Sequence, residues 1–66
     1  MKVVCNGKEL DLEAPATVSG LLGRLGLEGP YALVERNGEP VERESYGEVS
    51  LEEGDTLVVA RPVAGG

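Results

Sequence analysis

The sequence predicts an α+β fold, a mixed sheet of four to five strands with one main helix packed on one face, and three observations predict it. Apolar residues alternate with polar ones over the first twelve positions, helical spacing takes over between Val18 and Leu25, and alternation returns from Tyr31 onward. At 66 residues, the chain has room for one small domain, near the lower limit at which a hydrophobic core stabilises itself. A single helix must therefore cover a single sheet face.

The first strand carries Met1, Val3 and Cys5 on one side, and Leu10 and Leu12 alternate with Glu9 and Asp11 in its return. Asn6-Gly7 supplies the turn, because this pair accepts the positive φ angles of a type I′ hairpin. Pro15 and Thr17 then mark the change of period. Val18, Leu21, Leu22 and Leu25 recur at i, i+3, i+4 and i+7 and line one helical face. Thr17 is the expected N-cap and Gly26 the left-handed stop, with Leu27 folding back in a Schellman pattern. Gly20 and Gly23 fall on the outward face with Ser19 and Arg24, each costing about 1 kcal/mol of helix propensity.

"YALVER" reads as the next strand, Asn37-Gly38 as a second hairpin turn, and Val41 as part of a short return. "ESYGEVSLEEGD" is irregular and turn-rich, and Gly54-Asp55 leads into the last strand, "TLVVAR". Pro62 ends that strand, since it has no N–H to continue a ladder. The domain is thus expected over 1–62 and a flexible tail over 63–66. First and last strands are rich in Val, as central strands tend to be. The element order is that of a ubiquitin-like β-grasp. Periodicity leaves Val4, Val58 and Ala60 on the sheet face away from the helix, where grouped apolar residues mark a candidate docking site.

Composition removes most chemistry. One cysteine allows no internal disulfide, and the absence of histidine removes the usual zinc, haem and Ser-His or Cys-His arrangements. The formal charge of −6 disfavours nucleic acid and anionic lipid and suits a partner with a basic docking face. No apolar run is long enough to span a membrane and the N-terminus lacks a signal-peptide pattern, so a cytoplasmic protein is expected. Cys5 reads as a small buried hydrophobe. Glu52, Glu53 and Asp55 read as solvated turn acids with no metal expected, and Arg43 and Arg61 as candidate docking charges against the acidic background.

The ending "RPVAGG" offers a different chemistry, that of the terminal carboxylate. Ionised at neutral pH, such a group is a poor electrophile until activated, for which adenylation by ATP is suited. Gly65 and Gly66 have no side chain to block a narrow channel and adopt backbone angles closed to other residues. Extended at about 3.5 Å per residue, Val63, Ala64, Gly65 and Gly66 reach roughly 14 Å, enough to thread from a docked body into a partner's buried site. Docking of the sheet face would have to offset the entropy lost by the tail.

Four stretches in this order, the first "NG" hairpin, "TVSGLLGRLGL", "RNGEPVERESY" and "LEEGDTLVVARPVAGG", resemble the thiamine-biosynthesis sulfur carrier family (ThiS), a β-grasp branch related to ubiquitin. That resemblance covers essentially the whole chain. It implies a carrier and not a catalyst: an E1-like (ThiF-like) adenylyltransferase using ATP and magnesium would adenylate Gly66, and sulfur from a cysteine desulfurase would convert it to a thiocarboxylate. Delivery would be to a thiazole synthase (ThiG-like), with no cofactor bound by the carrier itself. The ending is shared by molybdopterin synthase small subunits and by carriers for tRNA thiolation. A reading from another class is a passive β-grasp interaction module whose "VAGG" has no role.

Overall fold

The computed structural model describes residues 1–27 and 31–61. In chain order these form β1 (Lys2–Cys5), β2 (Lys8–Asp11), α1 (Val18–Leu25), β3 (Leu33–Arg36), β4 (Glu39–Val41), a 3-10 turn (Arg43–Ser45) and β5 (Thr56–Ala60). The strands make one five-stranded sheet in the order β2-β1-β5-β3-β4. β1 and β5 are parallel neighbours, with Val4 opposite Thr56 and Cys5 opposite Leu57, and the remaining pairings are antiparallel. This mixed sheet with its single crossing helix is the expected β-grasp arrangement.

Local chemistry accounts for each turn. Asn6 and Gly7 have φ of 52° and 82°, and Asn37 and Gly38 repeat the pair at 53° and 85°, so both hairpins carry two positive φ angles in succession, as a type I′ turn needs. Thr17 is extended and its Oγ1 accepts from the Gly20 N–H at 3.1 Å, a side-chain N-cap. At the other end Gly26 is left-handed, and the Leu27 N–H reaches back to the Leu22 carbonyl at 2.8 Å, which is the Schellman closure. The Arg24 guanidinium donates to the Asp11 carbonyl and ties the last helical turn to β2.

The core lies between α1 and the helix-facing side of the sheet. Val3, Cys5, Val34, Leu57 and Val59 from the strands meet Val18, Leu21 and Leu22 from the helix, and Leu12, Ala32, Tyr46 and Leu51 close its edges. Each such large side chain contributes about 2–3 kcal/mol on removal from water. Burial raises the Cys5 thiol above its ordinary pKa, the behaviour of an inert core cysteine.

Two expectations change in detail and one is overturned. β3 begins at Leu33, later than Tyr31, and β5 closes at Ala60, before Arg61. The irregular segment is ordered, because it serves the helix N-terminus: Val18 and Ser19 N–H groups donate to the Val49 and Tyr46 carbonyls at 3.1 and 2.8 Å, satisfying donors that α1 itself cannot. The Tyr46 hydroxyl is buried and donates to the Ala32 carbonyl at 2.8 Å. Asp55 is not a solvated acid. It is 5% exposed and accepts from Arg36 Nε at 2.9 Å, Asn37 Nδ2 at 3.0 Å and the Glu52 N–H at 2.8 Å. Turn composition concealed this, since the two side-chain donors, Arg36 and Asn37, come from a hairpin 19 and 18 residues earlier. Pro62 and the proposed 63–66 tail, including the 62/63 boundary, lie outside the described residues.

Candidate docking face and the end of strand 5

β5 is flanked on both sides, and its alternation divides the strand by function: Leu57 and Val59 enter the core while Thr56, Val58 and Ala60 face away from the helix. Register then fixes the neighbours. Ala60 lies opposite Leu33 and Val58 opposite Glu35 on β3, while Pro40 of β4 lies opposite Glu35. Directly opposed Cβ atoms stand about 5 Å apart, so Leu33 and Ala60 form one apolar surface, extended through Val58 into a shallow recess that includes Pro40. On β1, Val4 is half-buried and lies opposite Glu9 of β2.

The large exposed apolar side chains among the described residues are Tyr31, Leu33 and Val58, at 67%, 56% and 49% exposure. Leu33 and Val58 adjoin the last residues of β5, from which the chain runs on toward its C-terminus. Glu35 stands between Val58 and Pro40 and Glu9 beside Val4, so the open face carries negative charge among its apolar side chains. The surface suits a partner that offers apolar contacts with basic groups at their margin.

Of the residues singled out in the sequence, Val4, Val58 and Ala60 share the open face, and Arg61 is exposed immediately after β5. Arg43 is exposed too, but it opens the 3-10 turn beyond edge strand β4 and is not part of the sheet. Gly66, Gly65, Ala64 and Val63 lie outside the described residues. Sequence reasoning missed Leu33. Its signal was the parity of buried Ala32 and Val34 against Leu33 and Glu35, which gains meaning only once β3 is paired with β5.

The far margin of β5 is held by two asparagine-led networks. Asn6 continues the β1 edge past its last residue: its Nδ2 donates to the Val59 carbonyl at 3.1 Å and its Oδ1 accepts the Val59 N–H at 2.9 Å, standing in for a peptide group of the missing strand. Asn37 does likewise at the start of β5, accepting the Thr56 N–H at 2.9 Å while donating to Asp55. Burial pushes the Asp55 carboxyl up, and the hydrogen bonds from Asn37, Glu52 and Arg36 with the Arg36 charge outweigh it, so the group titrates below the ordinary carboxylate value. Among the described residues no buried side-chain polar atom lacks a partner, no three potential ligand side chains gather as a metal site, and no helix is long and apolar enough to cross a membrane.

Comparison with known proteins agrees with this architecture. A crystal structure of a thiamine biosynthesis protein (ThiS) from Geobacter metallireducens superposes with a TM-score of 0.81 at 30% identity, with both chains covered in full. A solution structure of a thiamine biosynthesis protein from the same organism gives 0.82 at 32% identity, covering all of this chain and 88% of that one. Two thiazole synthases are similar over all 66 residues, from Paramagnetospirillum magneticum at 42% identity and Magnetococcus marinus at 41%. The chain spans only 20% of the length of each of those two proteins. The family model described as the ThiS family matches residues 2–66, and with the shared fold this establishes that the chain belongs to the ThiS family.

Proposed function

We propose that this chain is a sulfur carrier of thiamine biosynthesis, working through the carboxylate of Gly66. The observation that carries the reading is the family match, which runs through residue 66 and so takes in the glycine pair as well as the folded body. In this scheme the carboxylate oxygen attacks the α-phosphorus of ATP in an E1-like partner that uses magnesium, and pyrophosphate leaves. The acyl adenylate then loses AMP to a persulfide whose outer sulfur is drawn ultimately from a cysteine desulfurase, and a thiol cleaves the resulting acyl disulfide at its S–S bond, becoming part of a disulfide itself. The thiocarboxylate so released is a softer nucleophile than the carboxylate and stays ionised at neutral pH. The carrier binds no cofactor of its own and works in the cytoplasm, where ATP and the desulfurase act.

Each part of the chain has a task in that cycle. Val63, Ala64 and Gly65 thread the acyl group into the partner's site, and the open face of Val4, Leu33, Val58 and Ala60 docks the body, with Arg61 beside it. Thiazole synthase is the recipient inferred here, because a segment similar to the whole of this chain makes up a fifth of two thiazole synthases. Joining carrier to recipient raises the effective concentration of one for the other.

The test is intact-mass spectrometry after incubation with ATP, magnesium, a sulfur donor and the activating enzyme. Exchange of one oxygen for sulfur, mapped to Gly66, is the expected result. An unchanged mass beside a demonstrably active enzyme overturns the carrier reading in favour of a passive interaction module. Gly66→Trp is expected to abolish sulfur loading and leave the thermal unfolding midpoint unmoved.

A further inference from the structure

Both hairpins turn on Asn-Gly, the sequence in which a backbone nitrogen meets least hindrance in attacking the preceding side-chain amide, because glycine has no Cβ. At Gly38 the space a Cβ would take is open, as it is at Gly7. The two sites nevertheless differ in what holds the amide. Asn6 is bonded at both ends of its amide to the neutral peptide of Val59. Asn37 is bonded to the Thr56 N–H and, through Nδ2 at 3.0 Å, to the buried carboxylate of Asp55.

We propose that Asn37 is a deamidation site kept closed by the Asp55 network, and that reaction there locks the β3–β4 hairpin out of its native contacts. The Gly38 nitrogen forms a bond to Asn37 Cγ, loses its proton, and ammonia departs. Water then opens the cyclic imide at either carbonyl to give aspartate or isoaspartate, so the net change is amide nitrogen exchanged for oxygen with water as the only co-reactant. While both hydrogen bonds persist the amide cannot turn toward Gly38, and the reaction runs through local opening of the hairpin. Closure afterwards is opposed. A carboxylate at position 37 has no hydrogen to donate and would stand where Nδ2 now touches Asp55, and two carboxylates at that separation cannot both stay ionised. At Asn6 the product loses one hydrogen bond to a neutral carbonyl, a smaller injury.

Peptide mapping of the full chain, aged at mildly alkaline pH with isoaspartate-specific labelling, tests the gate. Asp55→Asn is expected to speed modification at Asn37 at least about threefold more than at Asn6, since it loosens one local contact. Equal acceleration at both sites overturns local gating. Unfolding midpoints test the lock without depending on that variant: Asn37→Asp is expected to fall well below Asn6→Asp, and the exchange Asn37→Asp with Asp55→Asn to recover part of the loss. An Asn37→Asp protein as stable as Asn6→Asp overturns it.

Discussion

The two faces of the sheet are built from the same strands, often from adjacent residues, and differ in almost everything else. On the helix side Val3, Val34, Leu57 and Val59 are buried; on the open side Val58 and Leu33 are about half exposed, with Glu35 opposite Val58 and Glu9 opposite Val4 at the other edge. Alternation at period two makes this possible, because consecutive side chains leave the pleat in opposite directions. The helix-facing residues hold the molecule together, and the open face, with Val58 and Leu33 about half exposed, is where docking is proposed. Residues one position apart should therefore respond to substitution in different assays.

The largest effect is expected on the inner face. Leu57→Ala should cost about 3–4 kcal/mol by removing a fully buried side chain from the central strand. In a 66-residue domain, whose total stability is on the order of 3–10 kcal/mol, that approaches global unfolding in a urea titration. Next comes the rim, where Asp55→Ala should cost about 2–4 kcal/mol, since it strands Arg36 and Asn37 and opens the turn at Glu52. The same group sets an acid limb. Its folded pKa lies below the unfolded one, so its contribution is fully present above the unfolded value of about 3.9 and is lost as pH falls through the folded value. Urea midpoints of the native protein should thus be flat in this respect down to about pH 4 and drop below it, and Asp55→Asn should flatten that drop.

Val58→Asp sharpens the comparison from the other side. Its unfolding midpoint should fall by only about 1 kcal/mol, since the new carboxylate faces Glu35 across the ladder, while affinity for the activating partner should fall tenfold or more, equivalent to about 1.4 kcal/mol. Calorimetric titration reads the second quantity, and unchanged affinity would remove the open face from docking. The smallest effect is expected at Tyr46→Phe, about 1 kcal/mol, from the buried Ala32 carbonyl left without its donor. Thermal denaturation checks that value.

Short-range patterns carried much of this protein in readable form. Both Asn-Gly turns, the Thr17 cap, the Gly26 stop and the apolar stripe of α1 each depend on residues within one or two turns of chain, and each stands where periodicity places it. The open-face orientation of Val58 and Ala60 follows likewise from alternation. Leu33 was not legible as their neighbour, because the face it shares is defined by pairing with a strand more than twenty residues later. Asp55 was illegible for the same reason: a carboxylate in a turn is solvated unless distant donors close over it. The distant donors, Arg36 and Asn37, arrive from the β3–β4 hairpin.

The sequence by itself determined the main elements, the cap and stop of the helix, both hairpin turns and the facing of most alternating residues, since capping, turn angles and amphipathic period are local properties of a few adjacent residues. Only the tertiary structure decided which strands became neighbours, and with that the apolar surface at the end of β5, the two asparagine side chains that extend its ladder, and the burial of Asp55. These depend on contacts across tens of residues, where one charged group changes from solvated to structural according to what packs against it.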